Sequence, residues 1–381
     1  MHFCIATTQQ HFGGGEVLIA SIGEELQRCG HDVSWVVRAD SSTQRRLEVR
    51  GSRIAHQFSG RGRSPFDILS LRKYLKSSQP DVTIMNDTHA VMLAGLASFG
   101  LGAKRPIRLA YKHTVFPLRS KYKYQKLADR LVCVSEAAQQ VVVEGGMPRQ
   151  DTEVIYGGVE PPNLPSVGAA ERTRLRESLG VAENQKMLLA VGSLLDCKGH
   201  ADLIDAVAES SGLDDTQLFI AGEGPERSHL ESRIAARGIS NRVRLLGHRS
   251  DVEELMHAAD LLVHPSHAEG LSLVLIQAQM LQKPIVATAV GGAAEVLNAG
   301  QSQDGRWITQ PGSPSELGRS LELAVSVIGD ESQTSTLQAA LESTGRRAES
   351  LFNISRVGQR LVTLVESISP LSIAPQNRNA A

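Results

Sequence analysis

Apolar residues fall along this chain in short blocks, each followed by a glycine-bearing turn and then a stretch with apolar positions every three or four residues. His2–Thr7 is the first block, of strand length. Residues 13–16, Gly-Gly-Gly-Glu, follow it. Val17, Leu18, Ile22 and Leu26 then recur at helical spacing and predict a helix to about Cys29, closed by Gly30. Residues 32–37 form a second apolar block. Strand, glycine turn, helix and strand make a βαβ unit, whose two strands have to run parallel.

The alternation continues. It predicts a helix over 65–78, a strand over 81–86, a helix over 88–99 and strands over 106–111 and 130–134. Ser135 starts a helix that runs to about Gly145, and a strand over 152–156 closes the first half. Pro161, Pro162 and Pro165 then mark a stiff linker over 161–168. The pattern restarts beyond it, with strands over 186–191, 217–221, 243–246 and 260–263. Ser313-Pro314-Ser315-Glu316 reads as a capping box with proline at the first helical position, opening three closing helices. The chain is therefore expected to be α/β, with two Rossmann-like parallel-sheet domains at 1–160 and 169–350. A closing helix over 351–368 folds back on the first domain, and the Pro-, Asn- and Ala-rich tail over 369–381 is expected to be disordered.

Composition narrows the class. The length of 381 residues and an apolar content of 41% suit two domains of ordinary size. The net charge of −1 gives no nucleic-acid signature. The halves differ, however: residues 1–160 hold 21 Lys and Arg against 15 Asp and Glu, the remainder 19 against 26. A basic first half, with Arg119, Lys121, Lys123 and Lys126 clustered in it, points to an anionic partner or an anionic membrane surface. Cys4, Cys29, Cys133 and Cys197 show no metal or redox spacing, which reads as a reduced, cytoplasmic set. His264 and His267 lack a third ligand, so no metal is expected. No apolar run is long enough to span a bilayer, and a peripheral place on the inner membrane face is the most that is expected.

The chemistry concentrates in residues 264–295. Glu269 precedes a helix, Gln277 lies eight residues later on it, and the backbone N–H groups of Gly270, Leu271, Ser272 and Leu273 stand at the helix start, where anions are favoured. A carboxylate beside such amides suits a ligand with hydroxyls at one end and phosphate at the other. This stretch resembles the donor site of the family-four glycosyltransferases of GT-B fold, with Glu269 at the first Glu of their E-x7-E pattern and Gly291-Gly292-Ala293-Ala294-Glu295 at their glycine turn. Gln277 replaces the second Glu. The resemblance extends to Lys198, the lysine of a diphosphate loop whose arginine is Ser193 here. It also covers Gly222 and Gly224, in a turn beside the donor, and Gly14 and Gly15, facing the donor across the cleft. The two departures offset each other in charge. By the same resemblance His113 reaches the reacting sugar, and the nucleobase sits near residues 247–251.

The resemblance implies transfer of a sugar from a nucleotide-sugar donor to a glycan or lipid-linked acceptor, of the surface-polysaccharide or lipopolysaccharide type, with retention of configuration and with no cofactor. No Asp-x-Asp is present to hold a metal, so Lys198 and helix N-termini are expected to meet the diphosphate charge. Asp87 and His89, after a first-domain strand, are candidate acceptor contacts, because ligands of parallel sheets bind outside strand carboxyl ends. A catalytically inactive nucleotide-sugar-binding protein and a nucleotide-sugar epimerase remain as alternatives, and conversion of a donor panel separates the three.

Overall fold

The structure, a computed structural model, describes residues 1–60, 62, 64–162, 168–298 and 305–368. Most of the expected linker and all of the expected tail lie outside these residues. The first domain holds β1 (His2–Thr7), α1 (Gly14–Arg28), β2 (Asp32–Arg38), α2 (Ser42–Val49), β3 (Ile54–Phe58), α3 (Pro65–Ser78), β4 (Val82–Met85) and α4 (Thr88–Ser98). After these come β5 (Ile107–Lys112), α5 (Lys121–Leu127), β6 (Arg130–Cys133), α6 (Glu136–Glu144) and β7 (Thr152–Val154). Its sheet is parallel throughout, in the order β3-β2-β1-β4-β5-β6-β7. Central strands such as β1 and β4 are buried almost end to end, as a sheet covered on both faces requires.

The second domain repeats the plan: α7 (Ala169–Ser178), β8 (Lys186–Val191), α8 (His200–Glu209), β9 (Thr216–Ala221), α9 (Arg227–Ala236), β10 (Val243–Gly247), α10 (Val252–Ala258) and β11 (Leu261–His264). It continues with α11 (Leu273–Met280), β12 (Ile285–Thr288), α12 (Gly292–Leu297), β13 (Arg306–Thr309), α13 (Pro314–Gly329) and α14 (Thr334–Phe352). The six strands are again parallel, ordered β10-β9-β8-β11-β12-β13. In each sheet the order reverses beside the first strand, between β1 and β4 and between β8 and β11. The loops leaving these strands diverge and open a crevice at each switch point.

The chain returns to the first domain at Phe352–Ile354. Val159 N donates to Phe352 O at 2.9 Å and Ile354 N to Val159 O at 3.0 Å, so the two crossings between domains are bonded to each other. The last helix, α15 (Ile354–Ile368), then packs on α1. Gly358 makes that approach close: an added Cβ would stand 2.8 Å from Glu25. One apolar core runs from this layer into the second domain, with Gly157 wedged between Leu18 of α1 and Leu271.

Several expectations change. Of the α1 stripe, Leu18, Ile22 and Leu26 are buried but Val17 is half-exposed. α2 and β3 are additional elements. The capping box does not form: Pro314 begins α13, but Ser313 makes no side-chain cap, and the Glu316 carboxylate accepts from Gln310 N at 3.3 Å instead. The step between closing helices falls at Asn353, just beyond the expected boundary.

Candidate active site

Glu269 sits in the loop between β11 and α11, at the switch point of the second sheet. Its Oε2 accepts from Lys198 Nζ at 2.6 Å and lies 3.3 Å from His264 Nε2. Burial pushes the Glu269 carboxyl up, and His264 and Lys198 more than reverse this, holding its pKa at about 2. Glu269 is therefore a fixed negative charge at any ordinary pH. Lys198 belongs to the loop after β8, so two neighbouring strands supply the pair. Gly199, in the left-handed region at φ 65°, lets this loop press on Pro265, where an added Cβ would overlap the Pro265 carbonyl. His267 is held from the same side, its Nε2 2.7 Å from Asp202 Oδ2.

Ser193, Gly222 and Gly224 meet one another in the adjoining loops. A side chain at Gly222 would overlap the Gly192 carbonyl, and one at Gly224 the Leu194 carbonyl. These glycines thus permit a backbone-to-backbone approach of the two loops. His200, the first residue of α8, is buried beside Gly192. Burial, with His264 and Lys198 nearby, pushes its pKa down to about 4.

Ser272 caps α11, its Oγ accepting from Leu275 N at 3.2 Å. Leu271 is buried at the domain junction, whereas Leu273 and Gln277 line a separate cavity of about 470 Å3 between the domains. Val17, Arg50, Ser250, Glu253 and Glu254 also border it. Gln277 therefore shares its surroundings with two carboxylates on α10, and Ser193 is not among the lining residues.

The first domain faces this arrangement with its own switch point. His113 follows β5, and Gly270 lies against it so closely that an added Cβ would overlap the His113 carbonyl. Glu269 and His113 are thus brought to opposite sides of one backbone contact. Gly15 closes in from α1, where an added Cβ would stand 3.4 Å from the His113 ring, while the same position at Gly14 is open. His113 Nε2 lies 2.7 Å from Asn86 Oδ1. Burial pushes the ring down to about 4, so it is neutral.

His113, Asn86, Asp87, His89, Arg119 and Lys123 line a cavity of about 700 Å3. Asp87 spreads its carboxylate over Thr8 N and Oγ1 (2.7 and 2.6 Å) and over His89 N and Ala90 N (2.9 and 3.0 Å), capping α4 and tying it to the loop after β1. Lys123 Nζ donates to Thr88 O at 3.2 Å. A smaller, mainly apolar cavity of about 350 Å3 adjoins, walled by Ile68, Met92 and Leu96 and sharing Thr88, His89 and Lys123. Lys121 opens α5 and Lys126 lies in its last turn.

Glu16, Asn86, His264 and Glu295 carry more of the arrangement than their sequence positions announced. Glu295 of the glycine turn reaches the other domain, accepting from Glu136 N at 2.9 Å and Ala137 N at 2.8 Å, and so caps α6. Ser135 Oγ donates to Gly270 O at 2.6 Å beside it. Asn86 and His264 share one legible sign: each is the polar residue that ends an apolar strand. Among the described residues no group of three or more His, Cys, Asp or Glu is placed to hold a metal, and no helix is long and apolar enough to cross a membrane.

Two Rossmann-like domains joined in this way, with polar side chains gathered at both switch points, define a GT-B architecture. The profile described as "Glycosyl transferases group 1" matches residues 171–340, and "Glycosyltransferase Family 4" matches residues 12–162. The chain belongs to the family-four glycosyltransferases. It is similar to the N-acetyl-alpha-D-glucosaminyl L-malate synthase of Bacillus anthracis, 24% identical over 76% of this chain and 79% of that one. It is also similar to the lipopolysaccharide glucosyltransferase WaaG of Escherichia coli, 35% identical over 39% of this chain and 40% of that one. The stretch shared with the second relative thus spans less than half its length. Among solved structures, Anabaena HepE in complex with UDP and glucose superimposes with a TM-score of 0.82 at 24% identity, over 96% of this chain and 100% of that one, a likeness of fold.

Proposed function

We propose that this protein moves a sugar from a nucleotide-sugar donor to a glycan or glycolipid acceptor of the cell-surface polysaccharide or lipopolysaccharide type, with retention of configuration and without a metal. The observation that carries the reading is the meeting of the two switch points, where the Glu269–Lys198 pair and neutral His113 flank the contact of Gly270 with the His113 carbonyl. Lys198 supplies a cation for the departing diphosphate, and Glu269 a permanent negative charge that favours positive charge on the sugar ring. Gln277 and the first-turn amides of α11 border the nucleotide end. The complexes of HepE with UDP and with UDP-glucose make uridine donors the first to try.

The paired cavities support a two-part acceptor. The larger carries charged groups, with Arg119 and Lys123 set in a wall that also includes Phe116 and Leu118, and the adjoining one is mainly apolar. A phosphorylated or otherwise anionic sugar bearing an apolar chain fits that division, and the basic α5 face suits an anionic membrane surface.

Incubation with a panel of nucleotide sugars and acceptors, with products resolved by mass spectrometry and anomeric configuration read by NMR, tests the reading. A retained α-glycoside formed equally with and without EDTA is expected. Binding without turnover would indicate an inactive binding protein, and an epimerised donor would indicate an epimerase. An inverted product or EDTA sensitivity would overturn the mechanism.

A further inference from the structure

A chain of hydrogen bonds in the first domain ends on His113. Glu16, in the first turn of α1, accepts from Gly13 N at Oε2 (3.1 Å) and from Asn86 Nδ2 at Oε1 (3.0 Å). Asn86 Oδ1 in turn lies 2.7 Å from His113 Nε2. Glu16 and Asn86 are 8% and 2% exposed, so solvent does not compete for these bonds. The far end dictates the direction of the whole chain. An ionised carboxylate only accepts, so Asn86 has to turn its NH2 to Glu16 and its oxygen to His113. The nitrogen facing that oxygen, Nε2, therefore carries the hydrogen. In the neutral ring the lone pair is left on Nδ1, in a ring that borders the cavity of about 700 Å3 and lies under Gly15 of α1.

We propose that Glu16 is a positioning residue which, through Asn86, fixes His113 in its Nε2–H form and so makes Nδ1 an acceptor for a hydroxyl of the bound sugar. The catalytic consequence rests on the function proposed above; the state of the ring does not. Asn86 cannot fix itself, because an amide can be turned over to offer a donor where it offered an acceptor. Only an acceptor-only neighbour settles it, and Glu16 is the one that bonds it.

The same geometry makes the arrangement sensitive to pH. Burial pushes the Glu16 carboxyl up to about 7, the bonds from Gly13 and Asn86 oppose this, and the charge of Asp87 adds to it. Asp87, at the start of α4, and Lys112, in β5, are the charged groups acting on His113, in opposite senses. Above about pH 7 Glu16 is ionised and the chain runs in the direction given. Once protonated it can donate to Asn86 Oδ1, the amide turns over, and the hydrogen of His113 moves to Nδ1.

Two-bond 15N–1H correlation spectra of the full-length protein, labelled at histidine and with His113 assigned through His113→Gln, read the ring directly. At pH 8 the Nε2–H form is expected, giving way to Nδ1–H or a mixture with a midpoint near pH 7. In Glu16→Gln, whose amide donates or accepts, a mixture that no longer changes over that range is expected. In transfer assays kcat should fall about tenfold, as for one hydrogen bond made in the transition state, with the donor KM little changed. The rising limb of its pH profile near 7 should disappear with it. A wild-type ring in the Nδ1–H form at pH 8, or an Nε2–H form indifferent to pH and to Glu16→Gln, would overturn the proposal. Because the spectra need no turnover, that failure is distinct from a failure of the glycosyltransferase reading.

Discussion

Glu269 shows how a site carboxylate also bears on folding. It is 11% exposed, and its partners are His264 at the end of β11 and Lys198 from the loop after β8, which approaches only in the folded chain. With its pKa held at about 2 against an ordinary 4.5, the unfolded chain binds a proton between those values that the folded chain refuses. The stabilisation is therefore full above about pH 4.5 and is lost as pH falls towards 2, amounting to roughly 3 kcal/mol. Glu269→Gln should melt below wild type at pH 7, with a gap that closes as pH falls through this window. Thermal denaturation by circular dichroism across pH checks this, and a gap independent of pH would show that the charge contributes nothing. At neutral pH the variant should still fold while transfer drops about 10²-fold or more, as for removal of one preorganised electrostatic group.

Helix α5 gathers Lys121, Lys123 and Lys126 behind Arg119, with Tyr122 and Phe116 exposed beside them. Each cation at an anionic surface contributes about 1 kcal/mol, so the face should hold weakly and in a salt-dependent way. Co-sedimentation with phosphatidylglycerol vesicles should pellet the protein at low salt and release it at high salt, whereas no pelleting at low salt would remove the membrane from the reading. Elements differ in how plainly the sequence shows them. β1, β4 and β8 are buried on both faces, so each is a mainly apolar run. β3 buries only Phe58, at a sheet edge, and α2 only Thr43 and Leu47, so neither has a pattern to read. Glu269, Lys198 and His113 stand out because the loops that follow β11, β8 and β5 resemble the family's motifs. The bonds of Asn86 with Glu16, and of Glu295 with the start of α6, join residues far apart in the chain, and only the meeting of particular loops creates them.

At the scale of the whole molecule, Glu295 acts as a latch between domains by capping a helix that is not its own. Loss of a helix cap costs about 1 kcal/mol, enough to change the ratio of open to closed forms severalfold. Glu295→Ala should therefore raise the radius of gyration in small-angle X-ray scattering, and superimposable curves would remove the latch. The crossing at Val159 and Asn353 bears on something else, the order in which the protein can be made. α15 covers α1 with Val357, Leu361, Leu364 and Val365, yet it is translated roughly 190 residues after the rest of the first domain. At about 5–20 residues per second the ribosome leaves that apolar face bare for some 10–40 seconds while the second domain emerges. The first domain is thus the earlier to start and the later to finish, and its nascent form has to survive with one wall missing.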